Sequence, residues 1–357
     1  METRNIFLPN YSIGENPYTE VPSICEAYGK KVVFIGGKTA LAKASGIVKD
    51  IIKNSTLEVI DTLWFGGEAC YENVEKLKQE KSVIKADMVF VFGGGKAIDT
   101  CKCLTGQLKK PLFTFPTISS TCASVTSVCA MYNENGSFKN LYWRFAPAEH
   151  TFISTKIIAE APERYLWAGI GDTMAKGYEP EFSSRGKPLN HSNALGVTLS
   201  RLCQEPLVKY GKKALDDCKA NKISTELEET VLAIIVTTGI VSNYVINDYN
   251  SSIAHALCYG FSTIHHVEVS HLHGEIVSYG VLVLLMVDGR TDEINRIMPF
   301  YKSIGLPVSY KNLDTSEEEM EGVIQKAVDV PDLNVSAFPV TKEIIWEAVR
   351  KLEAYEK

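Results

Sequence analysis

Five of the seven histidines of this chain fall between His255 and His273, within Ala254-His255-Ala256-Leu257 and His265-His266-Val267-Glu268-Val269-Ser270-His271-Leu272-His273-Gly274-Glu275. Imidazole is the commonest side-chain ligand for divalent transition metals. A carboxylate stands upstream, where Gly169-Ile170-Gly171 ends at Asp172. Two imidazoles and one carboxylate give a cation three ligands and leave a position for an oxygen of substrate or water, as a catalytic rather than a structural site requires. The spacing points to a metal site without saying which imidazoles belong to it.

A second chemistry-bearing feature is Gly93-Gly94-Gly95-Lys96, which follows the apolar run Met88-Val89-Phe90-Val91-Phe92 and precedes a helical Ala97 to Leu104. A glycine turn between a strand end and a helix start aims backbone N–H groups at a pyrophosphate and lets it come close. The segment matches neither G-x-G-x-x-G nor the phosphate-binding loop G-x-x-x-x-G-K-[ST], so a plain tight turn is the competing reading. Gly36-Gly37-Lys38 ends an earlier run, where nucleotide folds carry the residue that reads the adenosine ribose. Gly37 brings no carboxylate to repel a 2'-phosphate and Lys38 offers it a positive charge, so NADP(H) is favoured over NAD(H).

These residues need elements to position them. The runs Lys31 to Ile35, Leu57 to Thr62, Met88 to Phe92 and Leu112 to Phe115 are short, apolar and separated by helical pattern, as expected of strands buried on both faces of a parallel sheet. Beyond Pro162 the periodicity predicts helices over Arg164 to Tyr178, Asn193 to Tyr210, Thr225 to Asn243, Gly274 to Val287 and Lys342 to Tyr355. The expected fold is α/β, with an N-terminal doubly wound, Rossmann-like parallel sheet domain over 1–155 that binds NAD(P), and a C-terminal all-α domain over 156–357 that binds metal and substrate.

Composition narrows the function classes. With 357 residues and 45% apolar content the chain can bury a large core. A net charge of -6 and a pI near 5.8 leave no basic footprint for nucleic acid or an anionic membrane. Nine scattered cysteines without a C-x-x-C pair fit a reducing cytoplasm. Met1 to Asn5 lacks the apolar core of a secretion signal. The most apolar stretches, Val231 to Ile246 and Val277 to Val287, carry Thr, Ser, Asn, Gly or Tyr and read as buried helices rather than membrane spans. A small-molecule substrate is expected, and a homo-oligomer is left open.

Gly93-Gly94-Gly95-Lys96 with Asp99, Pro116-Thr117-Ile118-Ser119-Ser120-Thr121-Cys122-Ala123, Ala168-Gly169-Ile170-Gly171-Asp172-Thr173, Ala254-His255-Ala256 and His273-Gly274-Glu275 follow one another in a single order. Together they resemble the iron-containing alcohol dehydrogenase and glycerol dehydrogenase family over roughly residues 25 to 285. Phe338-Pro339-Val340-Thr341 and Thr121-Cys122-Ala123 look closest to its hydroxycarboxylate dehydrogenase branch.

The resemblance implies that Asp172, His255 and His273 hold one divalent metal and form the catalytic centre, in a cleft between the two domains. It implies that Gly94, Gly95 and Lys96 contact the cofactor pyrophosphate, and that Thr117, Ser120, Thr126, Val128 and Tyr132 line the nicotinamide side. Read singly, His255 fits a hydrogen-bonded core histidine and Asp172 an N-cap; their order beside the glycine turn favours ligands. His265, His266 and His271 are expected outside the site.

Three departures from the family pattern refine the reading. Glycerol dehydrogenases carry an aspartate where this chain has Cys122, which puts glycerol in doubt. Iron-binding members often have a histidine one turn after the ligand aspartate, here Lys176, so zinc is favoured over iron. Many members have a histidine where Cys258 stands, and a proton-relay role there is lost. Cys122 reads as a small pocket wall. Lys176, one helical turn beyond Asp172, could turn its ammonium toward a substrate carboxylate. The expected activity is hydride transfer between NAD(P)(H) and the CH–OH or C=O carbon of a small polar substrate, first a 2-hydroxy or 2-oxo acid. Competing readings are a glycerol dehydrogenase, a dehydroquinate-synthase-like lyase using NAD transiently, and a catalytically silent nucleotide-binding protein.

Overall fold

The computed structural model describes residues 5–355. Most of the Met1 to Asn5 segment discussed above lies outside them. The strands are β1 (Tyr11–Gly14), β2 (Lys31–Gly36), β3 (Glu58–Trp64), β4 (Met88–Gly93), β5 (Leu112–Pro116), β6 (Val128–Tyr132), β7 (Phe138–Trp143) and β8 (His150–Ser154). Six of them form one wholly parallel sheet in the order β1-β8-β5-β4-β2-β3, while β6 and β7 pair as an antiparallel hairpin.

Side chains alternate across a strand, so each inner strand feeds two cores. Val33, Ile35, Val89 and Val91 enter one core together with Ala97, Ile98, Cys101 and Leu104 of the helix Gly95–Leu108. Val32, Phe34, Met88, Phe90 and Phe92 enter the other with Val48 and Ile52 of the helix Gly46–Ile52. Burial on both faces is why these strands read as unbroken apolar runs. Phe92, Phe115 and Phe152 stack across neighbouring strands, with ring centroids 4.6 and 5.0 Å apart.

The chain leaves β2 outward to β3 and returns on the opposite side as β4, so the strand order reverses between β2 and β4. There the two glycine turns emerge side by side: Gly36 pairs with Phe92, and the Gly37 N–H donates to the Phe92 carbonyl at 3.2 Å. Open α/β sheets bind ligands outside the carboxyl ends of their strands at such a reversal.

The chain divides into two compact units: one runs up to Tyr165 and also takes Asp216–Ile240, while the other comprises Leu166–Leu215 and the chain from Val241 onward. This differs from the single cut at 155/156 expected above, because the 29-residue helix His191–Lys219 carries the chain back to the first unit, where Cys218 lies against the carbonyls of Ile158, Ala159 and Ala161. The second unit contains no strand among the described residues. Its helices include Glu179–Ser184, Ile253–Phe261, His273–Val287, Thr291–Ile304, Glu317–Val328 and Lys342–Tyr355. No helix among the described residues is long and apolar enough to cross a membrane.

Candidate functional site

Asp172 lies on the helix Glu163–Lys176, His255 on Ile253–Phe261, and His273 opens His273–Val287. Glycines let these helices approach. A Cβ on Gly274 would stand 1.8 Å from the Ala168 carbonyl oxygen, and one on Gly280 would stand 2.6 Å from the Ala254 Cα. One ligand atom from each of Asp172, His255 and His273 falls within 4.8 Å of the others. The Asp172 Oδ1 is 3.4 Å from His255 Nε2 and 3.6 Å from His273 Nε2. The Asp172 and His255 side chains are 16% and 14% exposed but that of His273 is 51%, so the set is closed on one side and open on another.

The charge balance suits a cation. Burial opposes protonation of His255, yet the Glu179 and Asp172 carboxylates on its two sides outweigh it and push the ring up to about 10. Burial likewise opposes ionisation of Asp172, but the two imidazoles hold its carboxyl well below the usual carboxylate range. Enclosed carboxylates flanking an imidazole call for positive charge, which protons or a divalent metal can supply. The nitrogen and oxygen donors fit a borderline divalent ion such as zinc or ferrous iron.

Glu179, which sequence reasoning missed, is fully buried. Its Oε2 lies 2.6 Å from His255 Nδ1, and its Oε1 accepts from the backbone N–H of Ser252 at 2.7 Å and of His255 at 3.0 Å. It stands seven residues after Asp172 among Lys176, Glu181 and Arg185, so no local pattern set it apart from a solvated acidic residue. Cys258 Sγ stands 3.4 Å from His273 Nδ1, the nitrogen turned away from Asp172.

His266 and His271 make their contacts elsewhere: His271 lies between Glu275 and Asp314, and His266 contacts the Asp314 carbonyl. The role expected of Lys176 is not carried by its geometry. The residue is 8% exposed, and its ammonium donates to the Asn250 carbonyl at 2.6 Å and to Asn250 Oδ1 at 3.0 Å. Two of its three ammonium hydrogens are thus held by Asn250 inside the unit.

In the first unit, Gly94 caps the helix Gly95–Leu108 without a side chain, leaving its N-terminal N–H groups to an anion. A Cβ at Gly94 would stand 2.5 Å from Ile118, and the Thr117 N–H ties the neighbouring loop to the Gly93 carbonyl at 3.2 Å. Such a cradle fits a pyrophosphate. Lys96 turns its ammonium to Glu68 at 2.6 Å and lies over the Tyr132 ring at 5.7 Å. Lys38 rests 4.8 Å above the Trp64 ring, with Gly37 beside it open to a larger side chain. Ser120 and Cys122 are half-buried.

Beneath this cradle lies an ion pair that sequence reading did not assign. Lys102, wholly buried, contacts Asp99 at 2.7 Å and donates to Thr126 Oγ1 at 3.3 Å and to the Val128 carbonyl. Asp99 accepts from the Ala130 N–H at 3.0 Å. The pair thus holds β6, with Thr126 and Val128, onto the helix that begins at the glycine turn.

A reversed parallel sheet with a glycine cradle and a helical unit bearing a carboxylate–imidazole set describe a dehydrogenase of the metal-dependent alcohol type. Residues 9–148 match the family described as iron-containing alcohol dehydrogenase. The glycerol dehydrogenase of Thermotoga maritima is 31% identical over 303 residues, covering 82% of this chain and 81% of that protein. Hydroxycarboxylate dehydrogenase A of Escherichia coli is 28% identical over 332 residues, covering 91% and 90%. The crystal structure of glycerol dehydrogenase from Schizosaccharomyces pombe shares the fold, with a TM-score of 0.87 at 23% identity over 99% of this chain and 92% of that one. The chain belongs to the iron-containing alcohol dehydrogenase family and is an alcohol-dehydrogenase-type oxidoreductase.

Proposed function

We propose that this chain transfers hydride between a nicotinamide dinucleotide and the CH–OH or C=O carbon of a small polar substrate, with one divalent cation held by Asp172, His255 and His273. The observation that carries the reading is the approach of those three side chains within 4.8 Å on helices brought together by glycine contacts. A cation at these ligands supplies Lewis-acid polarisation to the oxygen of the substrate. The chain's own contribution is alignment. Gly94 and Gly95 offer backbone N–H groups to the pyrophosphate, Lys96 adds charge at the rim, and Thr117, Ser120, Thr126, Val128 and Tyr132 line the nicotinamide side. The first unit is then the cofactor unit, and the second the metal and substrate unit.

Zinc is proposed before iron, because the residue one turn after Asp172 is Lys176, whose ammonium bonds Asn250, and supplies no additional imidazole. NADP(H) is proposed to be accepted at least as well as NAD(H), on account of Gly37 and Lys38. The nine cysteines form no disulfide, which supports a reducing, cytoplasmic setting.

A 2-hydroxy or 2-oxo acid is the proposed substrate class, supported by Cys122 in place of an aspartate and by the extended likeness to the hydroxycarboxylate dehydrogenase. The polyol reading has support of its own in the 31% identity to a glycerol dehydrogenase. Oxidation of NADPH and NADH by the zinc-supplemented protein should be measured against 2-oxo acids, hydroxyketones and aldehydes, beside glycerol oxidation in reverse. Turnover fastest on 2-oxo acids is expected. Robust glycerol oxidation without 2-oxo acid reduction would return the chain to the polyol branch, and no net nicotinamide turnover would favour a lyase.

A further inference from the structure

Glu179 is a fully buried carboxylate whose two oxygens are both spoken for, and each serves a different part of the same helix. Oε1 accepts from Ser252, the residue that caps Ile253–Phe261, and from His255 in the first turn of that helix. A carboxylate there satisfies N–H groups that a helix start leaves without internal partners, and meets the positive end of its dipole. Oε2 meets the His255 ring at Nδ1, on the side opposite Asp172, which faces Nε2. One side chain therefore fixes both where the His255 backbone begins its helix and how its ring is turned.

We infer that Glu179 is a positioning residue for the metal centre: it holds His255 in the tautomer with hydrogen on Nδ1, leaving the Nε2 lone pair directed at the cation site. The inference rests on the reading of Asp172, His255 and His273 as ligands. A carboxylate accepts and cannot donate, so Nδ1 must carry the hydrogen in the 2.6 Å contact. A cation taking the place of a hydrogen on Nε2 leaves the ring neutral, with its one hydrogen on Nδ1 and the Nε2 lone pair as the ligand. Carboxylates behind ligand histidines typically contribute about ten- to a hundredfold in metal affinity.

Glu179→Gln separates this role from simple support of the fold. The glutamine carbonyl can still accept from Ser252 and His255, so the metal-free protein should melt close to the unaltered one. The amide nitrogen then faces Nδ1 as a donor, which favours the tautomer with hydrogen on Nε2 and blocks the ligand atom. Zinc affinity, read by competition with a fluorescent chelator, should fall by about ten- to a hundredfold. His273→Ala serves as the control. Unchanged affinity in Glu179→Gln while His273→Ala has lost the metal would overturn the role of Glu179 alone. Zinc retained by both would overturn the metal centre and the inference with it. If Glu179→Gln does not fold, the zinc-loaded unaltered protein labelled with 15N at histidine decides: a protected Nδ1–H signal from His255 is expected, and hydrogen on Nε2 would refute the inference.

Discussion

Gly171 and Gly274 meet backbone to backbone: a Cβ on Gly171 would stand 2.2 Å from the Gly274 carbonyl oxygen. The two residues adjoin Asp172 and His273, so the contact sets the separation of two proposed ligands. Gly274→Ala cannot be absorbed by a flexible side chain, since the obstructing atom is the Ala168 carbonyl at 1.8 Å. Overpacking of this kind typically costs about 1–3 kcal/mol and shifts backbone. Gly274→Ala is expected to lower the denaturation midpoint and to weaken zinc binding together. A variant with unchanged midpoint and affinity would show that the helices have slack.

What the sequence disclosed tracks how local each signal was. β2, β4 and β5 stood out as apolar runs because both faces are buried, and the helices with one wet face showed their period. Ile253–Phe261 has a buried residue at nearly every position and hence no polar side to mark it. The edge strand β1 is only four residues long, and β8 carries His150, Thr151 and Ser154 among its five, so neither shows an apolar run. Asp172, His255 and His273 were legible because their types and motif neighbours announce them. Glu179 was not, since an acidic residue in a helix-rich sequence is ordinarily solvated and only the fold shows this one buried against His255. Lys176 was legible as a residue on the Asp172 helix, but its partner Asn250 lies 74 residues away, beyond any local pattern.

Cofactor choice can be tested at the end of β2. The nearest atoms to a Cβ on Gly37 are 3.9 Å away, so a Cβ is admitted there without a clash. Gly37→Asp adds a charge that repels a 2'-phosphate and accepts from ribose hydroxyls. A near-surface charge contact is worth about 1 kcal/mol, so the NADPH-to-NADH ratio of kcat/KM should fall about fivefold, and Lys38→Ala should move it the same way. An unaltered ratio in both variants would remove these residues from cofactor selection.

The Asp99–Lys102 pair makes a prediction about stability. Removing one partner of a buried ion pair typically costs about 3–5 kcal/mol, because the remaining charge is stranded. Lys102→Met should therefore destabilise the protein strongly and raise KM for the nicotinamide cofactor as β6 loosens. Adding Asp99→Asn should recover part of the stability, since the stranded charge is gone. Equilibrium denaturation of both variants checks this, and a double variant weaker than Lys102→Met would contradict it.

For Lys176 the structure changes the expected outcome. An ammonium reserved for a substrate carboxylate would be needed only by charged substrates. An ammonium bonded to Asn250 supports the loop that leads into the His255 helix, where the Asn250 amide in turn donates to the Ser242 and Val245 carbonyls at 3.3 Å. Lys176→Met should lower kcat/KM on 2-oxo acids and on uncharged aldehydes alike, with a stability loss of about 1–3 kcal/mol from the unsatisfied acceptors. A loss confined to charged substrates would restore the substrate-binding role.

His150 links stability to pH. It opens β8, lies tilted against the Phe152 ring with centroids 4.6 Å apart and has its Nε2 2.9 Å from Ser12 Oγ on β1. Burial lowers its pKa from 6.5 to about 4, so the folded chain resists a proton that the unfolded chain takes up. Stability rises with pH wherever the unfolded state binds more protons. The contribution of His150 is therefore fully present above the unfolded value of 6.5 and is progressively lost as pH falls from there toward about 4. His150→Gln keeps a polar partner for Ser12 but cannot be protonated, so it should reduce the drop in melting temperature between about pH 7.5 and about pH 5. The β1–β8 edge is where the added charge would act. An equal drop in the variant and the unaltered protein would assign that acid sensitivity to other groups.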